Sequence, residues 1–168
     1  MLSVFGGKIT TFRKLSEHLV DKLQPYFEFM NSAWTQSAVL PGGDIPAADY
    51  QAYLLTIHQQ YPWLDSRTIE HLTQSYGTLM HQVIGNAESI TEMGQQFAST
   101  FYECEARYLI EHEWAQSAED VLTRRTKHGL HMTQVEKEIF VQWWQTNVEN
   151  GGSKSQSNRV LEESVNEL

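Results

Sequence analysis

The sequence predicts an all-α protein: a compact multi-helix domain preceded by a short strand, a glycine turn and one helix. Three observations carry this. Apolar residues recur at helical spacing through most of residues 47–147. Each such stretch is bounded by a capping residue or by Gly or Pro. No alternating strand pattern appears after residue 6.

Residues 2–5, "LSVF", read as the end of a strand. Gly6 and Gly7 then permit positive φ and close approach of the backbone to another group. Thr10 or Thr11 is placed to cap a helix whose face carries Phe12, Leu15, Leu19, Val20 and Leu23, and which Pro25 ends. Residues 1–30 form this first region. Residues 31–46, "NSAWTQSAVLPGGDIP", read as a linker loop on their Pro, Gly and small polar content.

The helical domain spans 47–147. Asp44 and Pro46 open its first helix, with Tyr50, Tyr53, Leu54 and Ile57 facing inward and Pro62 closing it. Asp65 or Ser66 caps the next, which holds Ile69 and Leu72 and stops at Gly77. A short helix follows at 78–87 and a longer one at 99–115, on which Glu103, Arg107 and Glu111 are spaced for i,i+4 pairs. Ser117 with Asp120 resembles a capping box and opens a helix that Gly129 terminates. Thr133 with Glu136 is a second box, opening the helix that bears Trp143 and Trp144. The count is roughly six or seven short helices. Residues 148–168 read as a polar, flexible tail, with "GGSKSQSN" as its linker.

Composition narrows the function. The net charge is −9, which disfavours a phosphate backbone as partner, so no nucleic acid is expected. The single cysteine, Cys104, rules out a disulfide within the chain and suits a reducing compartment. No run of about 18 apolar residues is present, and the N-terminus lacks a signal-peptide pattern.

Local chemistry is sparse. His58, His71, His81, His112, His128 and His131 are scattered, "HEWAQ" lacks the second His of a zinc-protease helix, and no metal site is expected. Cys104 reads as a packed, inert thiol, and the carboxylates of 103–113 as a solvated ion-pair face. The one basic cluster, "LTRRTKHG" (122–129), has two readings. Its charges complement a helix dipole, or one arginine makes a fixed contact with another domain. Adjacent Trp143 and Trp144 cannot both face one core, so one of them is expected at an interface, or else a core Trp lies beside a partly covered one. In "GGKITT" the glycine pair, the free N–H groups of the next helix and Lys8 suit a delocalised negative charge, or the segment is simply a turn. It is neither a P-loop nor a Rossmann fingerprint.

Three stretches together go further. "GGKITTFRKLSEH" (6–18), "LPGGDIP" (40–46) and "EARYLIEHEWAQSAEDVLTRRTKHGL" (105–130) resemble, in order and spacing, the C-terminal part of FAD-dependent, aerobic glycerol-3-phosphate dehydrogenases. The resemblance covers about residues 4–147. It implies that residues 1–30 are the last piece of an FAD-binding domain, and that an all-helical C-terminal domain follows. It implies oxidation of sn-glycerol 3-phosphate to dihydroxyacetone phosphate, with electrons passed through FAD to membrane quinone. It also implies a peripheral position at the cytoplasmic face of the inner membrane, often as a homodimer.

By the resemblance, Gly6, Gly7, Lys8, Ile9, Thr10 and Thr11 are the flavin-contacting residues, and Arg124 and Arg125 contact the neighbouring domain. No catalytic residue is assigned. The dinucleotide-binding segment of the family has no counterpart here. The expectation is therefore a fragment that holds no FAD tightly and is inactive alone, partnered in the whole enzyme by an N-terminal FAD and substrate domain. The alternative is a non-enzymatic helical interaction or dimerisation module.

Overall fold

The computed structural model describes residues 2–6 and 8–150. Met1, Gly7 and residues 151–168 lie outside them, and with them one glycine of the expected turn and nearly all of the expected tail. The chain divides into two units, Met1–Pro41 and Gly42–Leu168. Seven α-helices and one two-stranded sheet are present among the described residues, which makes the architecture all-α in substance.

The first unit holds a 3-10 turn at Ile9–Thr11 and helix α1, Phe12–Leu23. Two expectations fail here. Leu2–Phe5 form no strand, because none of the described residues pairs with them, and Phe5 is 93% exposed. Neither threonine caps α1: the Thr11 hydroxyl instead donates to the Lys8 carbonyl at 3.1 Å. The burial on α1 is inverted as well. Glu17 is its one buried residue, whereas Phe12, Leu15 and Val20 are exposed. Glu17 accepts hydrogen bonds from Lys14 (2.9 Å), the Thr35 hydroxyl (2.9 Å) and Arg13. Those from Lys14 and Thr35 hold its carboxyl at about 2, well below the ordinary range.

The second unit is built on closely packed helices. Asp49 caps α2 (Tyr50–Gln60) by accepting from the Ala52 N–H at 3.0 Å. The expected opening at Asp44–Pro46 is a separate 3-10 turn, Pro46–Ala48. Tyr53 and Ile57 face the core. Asp65 caps α3 (Ser66–Tyr76) through the Arg67 and Thr68 N–H groups, and Ile69, Leu72 and Tyr76 are buried.

Gly77 ends α3 with φ 56°, and here the chain crosses itself. A Cβ on Gly77 would stand 1.9 Å from the Gly42 carbonyl oxygen, and one on Gly42 would stand 2.2 Å from the Tyr76 carbonyl oxygen. The Thr78 N–H donates to that same Gly42 oxygen at 3.0 Å. The glycines of "LPGGDIP" and "SYGT" thus permit backbone-on-backbone contact.

Helix α4 (Met80–Ile84) buries Met80, Val83 and Ile84. A hairpin that the periodicity did not predict follows: β1 (Gln96–Ala98) pairs antiparallel with β2 (Phe101–Tyr102). At two and three residues its strands are too short to show alternation, and the core receives Phe97 and Phe101 from them. Helix α5 is therefore shorter than expected, Glu103–His112.

The segment from Asp120 to Arg125 is π-helical. Asp120 N–H donates to the Ser117 hydroxyl (3.1 Å), but the Asp120 carboxylate reaches back to Gln116 N–H (3.1 Å), one residue from the expected box. Gly129 does not end this segment. It lies inside a further short helix, α6 (His128–His131), packed against the Leu122 backbone.

Thr133 and Glu136 form the expected capping box of α7, Gln134–Trp144, and a π-helical turn extends it through Glu149. Trp143 and Trp144 are both buried, against the expectation that one would be exposed. Both adjoin Phe140, and Trp143 stacks on it at 5.7 Å. Trp143 packs on Phe97 (5.2 Å between ring centres) beneath the Arg107 guanidinium, while Trp144 lies by Phe140 (6.3 Å). A helix covered on two sides buries successive side chains. Trp114 is the exposed one, at 81% and in the left-handed region with φ 57°.

Candidate functional site

The second unit gathers three polar side chains, two from α3 and one from α6, around one carboxylate on α5. Glu105 lies on the inward face of α5, sharing it with Ala106 and Leu109. It is 1% exposed, so the reading of 103–113 as a wholly solvated face fails at this position. Only Glu103 with Arg107 forms the expected surface pair, at 2.6 Å.

From α3, His71 Nε2 lies 2.9 and 3.1 Å from the two Glu105 oxygens. From α6, His128 Nε2 lies 3.2 and 3.1 Å from the same pair. The Tyr76 hydroxyl, also from α3, donates to Glu105 Oε1 at 2.8 Å. His128 is fixed by stacking on Phe101, with ring centres 4.3 Å apart, and its ring centre lies 4.8 Å from that of His71.

Burial alone would push the Glu105 carboxyl up, but hydrogen bonds from His128 and His71 outweigh it and hold the group at about 2. The neighbours move the other way. Burial and the Glu105 charge push the Tyr76 hydroxyl far up and the Cys104 thiol to about 12, so that thiol is protonated and unreactive at neutral pH. A buried carboxylate with three donors is a high-stakes network: removing Glu105 would strand all three donors, and removing a donor would leave the buried charge with fewer partners.

His71 and His128 form part of the wall of a cavity of about 590 Å³, which Arg125, Lys127, Glu113 and Glu136 also line. Sequence spacing found none of His71, Tyr76, Glu105 or His128 as partners, since 34 and 23 residues separate the histidines from the glutamate. One signal was present: an acid flanked at i+1 and i+4 by Ala106 and Leu109, on an apolar helix face.

The basic cluster separates into distinct roles. Arg124 pairs with Asp120 at 2.5 Å, one turn earlier in its own segment. Lys127 donates to the Thr123 carbonyl at 2.7 Å, as a cation at a helix end does. Arg125 has no salt bridge among the described residues and borders the cavity. In the first unit, Gly6, Lys8, Ile9, Thr10 and Thr11 form an exposed turn leading into α1, while Gly7 lies outside the described residues. The turn and the arginines belong to separate units.

Comparison with known proteins agrees over both units. The family described as the C-terminal domain of alpha-glycerophosphate oxidase matches residues 33–142. The chain is 44% identical to D-erythritol 1-phosphate dehydrogenase of Brucella abortus (strain 2308) over 144 residues, covering 86% of this chain and 29% of that protein. It is 41% identical to aerobic glycerol-3-phosphate dehydrogenase of Escherichia coli (strain K12) over 143 residues, covering 85% and 28%. It is 39% identical to glycerol-3-phosphate dehydrogenase of Pseudomonas aeruginosa, covering 79% and 26%. The chain thus matches less than a third of the length of these dehydrogenases. With more than half of its residues matched by the family and most of its length aligned to such enzymes, this chain belongs to the family of the C-terminal domain of alpha-glycerophosphate oxidase.

Proposed function

We propose that this chain serves as the C-terminal helical part of an FAD-dependent glycerol-3-phosphate dehydrogenase, which oxidises sn-glycerol 3-phosphate to dihydroxyacetone phosphate and delivers electrons to membrane quinone. The observation that carries the reading is the uncovered apolar stripe of α1. Phe12, Leu15 and Val20 face solvent directly after the turn bearing Lys8, as do Phe5 and Ile9 around it. Large apolar side chains clustered in so short a stretch call for a covering partner. The N-terminal FAD and substrate domain of the longer relatives has the right character to supply it.

The residues present fit one edge of a flavin and no more. Gly6 lets the backbone approach closely, Lys8 offers a full positive charge, and Ile9–Thr11 begin a helical turn, within which the Thr11 N–H already donates to the Lys8 carbonyl at 3.2 Å. No other part of FAD finds a partner among these residues, which supports weak binding by the isolated chain. When bound, FAD accepts the hydride from the substrate. The contribution of Lys8 is to hold the charge that collects at the flavin edge, and that of α1 is to exclude water behind it.

Arg125, free of a salt bridge in its own segment, is the better of the two arginines for the interdomain contact. No helix among the described residues is long and apolar enough to cross a membrane. The site at the cytoplasmic face of the inner membrane is thus proposed to be peripheral, and a homodimer is compatible with it. The relative named D-erythritol 1-phosphate dehydrogenase, 44% identical, favours a second reading in which the substrate is a longer polyol phosphate.

A chimera tests both. This chain replaces the matching segment of the E. coli enzyme, and flavin content and dye-linked oxidation of glycerol 3-phosphate and D-erythritol 1-phosphate are measured. A yellow, active chimera supports the enzyme reading. A soluble chimera with full flavin content and no turnover of either substrate counts against it and favours an interaction module. The isolated chain is expected to purify colourless; stoichiometric flavin in it would overturn the weak-binding claim.

A further inference from the structure

We propose that His71, Glu105 and His128 form a binding site for one divalent transition-metal ion of the zinc class, with an open coordination position facing the cavity bordered by Arg125 and Lys127. The proposal is independent of the flavin reading, since every residue in it lies in the second unit.

The donor set comes first. Two imidazole nitrogens and a carboxylate are the ligands that intermediate divalent ions such as zinc prefer, and no thiolate is present to select a softer ion. The three residues come from α3, α5 and α6, so the site exists only in the folded chain. One ligand atom from each lies within 4.8 Å of the others. In a tetrahedral zinc site, bonds of about 2.0–2.2 Å place ligand atoms roughly 3.3–3.6 Å apart. The nitrogen–oxygen separations here, 2.9–3.2 Å, fall just below that range, as expected where hydrogen bonds occupy the space of an ion. Each nitrogen–oxygen separation would have to widen by about 0.1–0.7 Å to admit one.

Binding rearranges the protons. Each of the two Nε2 atoms now shares one proton with the Glu105 carboxylate. With the ion in place each ring is the neutral Nδ1–H tautomer: a ring that was neutral moves its proton from Nε2 to Nδ1, and one that was cationic releases its Nε2 proton to solvent, so that the nitrogens and the carboxylate turn lone pairs to the metal. Tyr76 donates to Glu105 Oε1 and is the positioning residue. Stacking on Phe101 fixes the His128 ring in the same way.

One carboxylate leaves a divalent ion with a residual positive charge, which calls for an anionic or hydroxide ligand at the open position. The cavity has room for it, and the Glu113 and Glu136 carboxylates lie on the wall. Arg125 and Lys127 would in turn favour a small anion, such as a phosphate ester, on the exposed side of the metal.

The test uses the full 168-residue chain, treated with chelator and then titrated calorimetrically with Zn²⁺, with Mg²⁺ and Ca²⁺ as comparisons. One equivalent of Zn²⁺ is expected, without matching binding of the other two. His71→Ala should weaken it by at least about 10–100-fold, the loss that follows removal of an outer-shell partner alone. His58→Ala, on α2 and outside the cluster, should leave it unchanged.

His71→Gln separates metal binding from mere structure. Its amide can still donate to Glu105, so thermal stability should stay near that of the parent while Zn²⁺ affinity falls as for His71→Ala. Co²⁺ should give the strong visible bands of a four-coordinate site. Absence of stoichiometric Zn²⁺ binding, binding insensitive to His71→Ala or His71→Gln, or only the weak bands of octahedral Co²⁺ would each overturn the proposal and leave the cluster a hydrogen-bond network.

Discussion

The carbonyl oxygen of Gly42 lies 1.9 Å from the point where a Cβ of Gly77 would be, so the start of the second unit is pressed against the end of α3 with no side chain between. The contact is sealed by the Thr78 N–H on that oxygen and by the Tyr53 hydroxyl on the Gly77 carbonyl at 3.2 Å.

Gly77→Ala should therefore destabilise the chain more than Gly85→Ala. Both glycines hold positive φ, 56° and 62°, so each substitution carries backbone strain of about 1–3 kcal/mol. Gly85 has nothing within 4 Å of a new Cβ, whereas Gly77 meets backbone. The clash adds about 1–3 kcal/mol at Gly77 alone. Paired urea denaturation of the two variants checks the difference, and equal losses would refute it.

Trp144 and Trp114 should respond in opposite ways. Trp144→Ala empties a position that is 1% exposed beside Phe140, and is expected to cost about 3–5 kcal/mol. Trp114→Gly should stay within about 1 kcal/mol of the parent, because relief of roughly 1–2 kcal/mol of left-handed strain offsets the chain entropy glycine adds. Thermal melts of both variants provide the measurement.

Asp65 gives a pH signature. Burial works to raise its carboxyl, but hydrogen bonds from the Thr68 side chain and the Thr68 and Arg67 N–H groups prevail, and the group titrates below its ordinary value of 3.8. A depressed folded-state value means that the carboxylate stabilises the fold above the unfolded value and ceases to do so as pH falls through the folded one. Asp65→Ala should cost about 0.5–2 kcal/mol near neutral pH, as loss of an N-cap does. The gap between parent and variant should narrow below about pH 4, where the unfolded carboxylate takes up its proton. A gap that widens on acidification would contradict the cap.

In the chimeric enzyme, Lys8→Met should lower turnover by about 10²–10³-fold, the usual effect of removing one preorganised electrostatic partner. Arg125→Ala should instead weaken the assembled enzyme by about 1.5–3 kcal/mol, the scale of a charged hydrogen bond. It should leave the isolated chain within about 0.5 kcal/mol, as an exposed substitution does. Stopped-flow flavin reduction and differential scanning calorimetry read the two effects separately.

Several local signals were legible, although the Thr10/Thr11 cap, the Asp44–Pro46 opening and the Gly129 stop were not borne out. Asp65, the Thr133–Glu136 box and the faces carrying Tyr53, Ile57, Ile69 and Leu72 follow from capping chemistry and the 3.6-residue period acting within one or two turns. The β1–β2 hairpin escaped because strands of two and three residues are shorter than the window any alternation needs. The two tryptophans misled because a helix covered on two sides buries neighbours that a one-sided helix would divide.

The sequence by itself determined the all-α class, the caps of α3 and α7 and the stop at Gly77, and, through "GGKITT" and "EWAQSAEDVLTRRT", the family. It showed α1 as amphipathic, but what covers a stripe is a matter of partners, and within this chain Glu17 is the side chain that became buried there. Only the tertiary structure decided that His71, Tyr76 and His128 meet at Glu105. Periodicity reports which face of a helix turns inward. Which side chains from distant helices then share a point depends on packing and crossing angles, and those are set by the whole core at once.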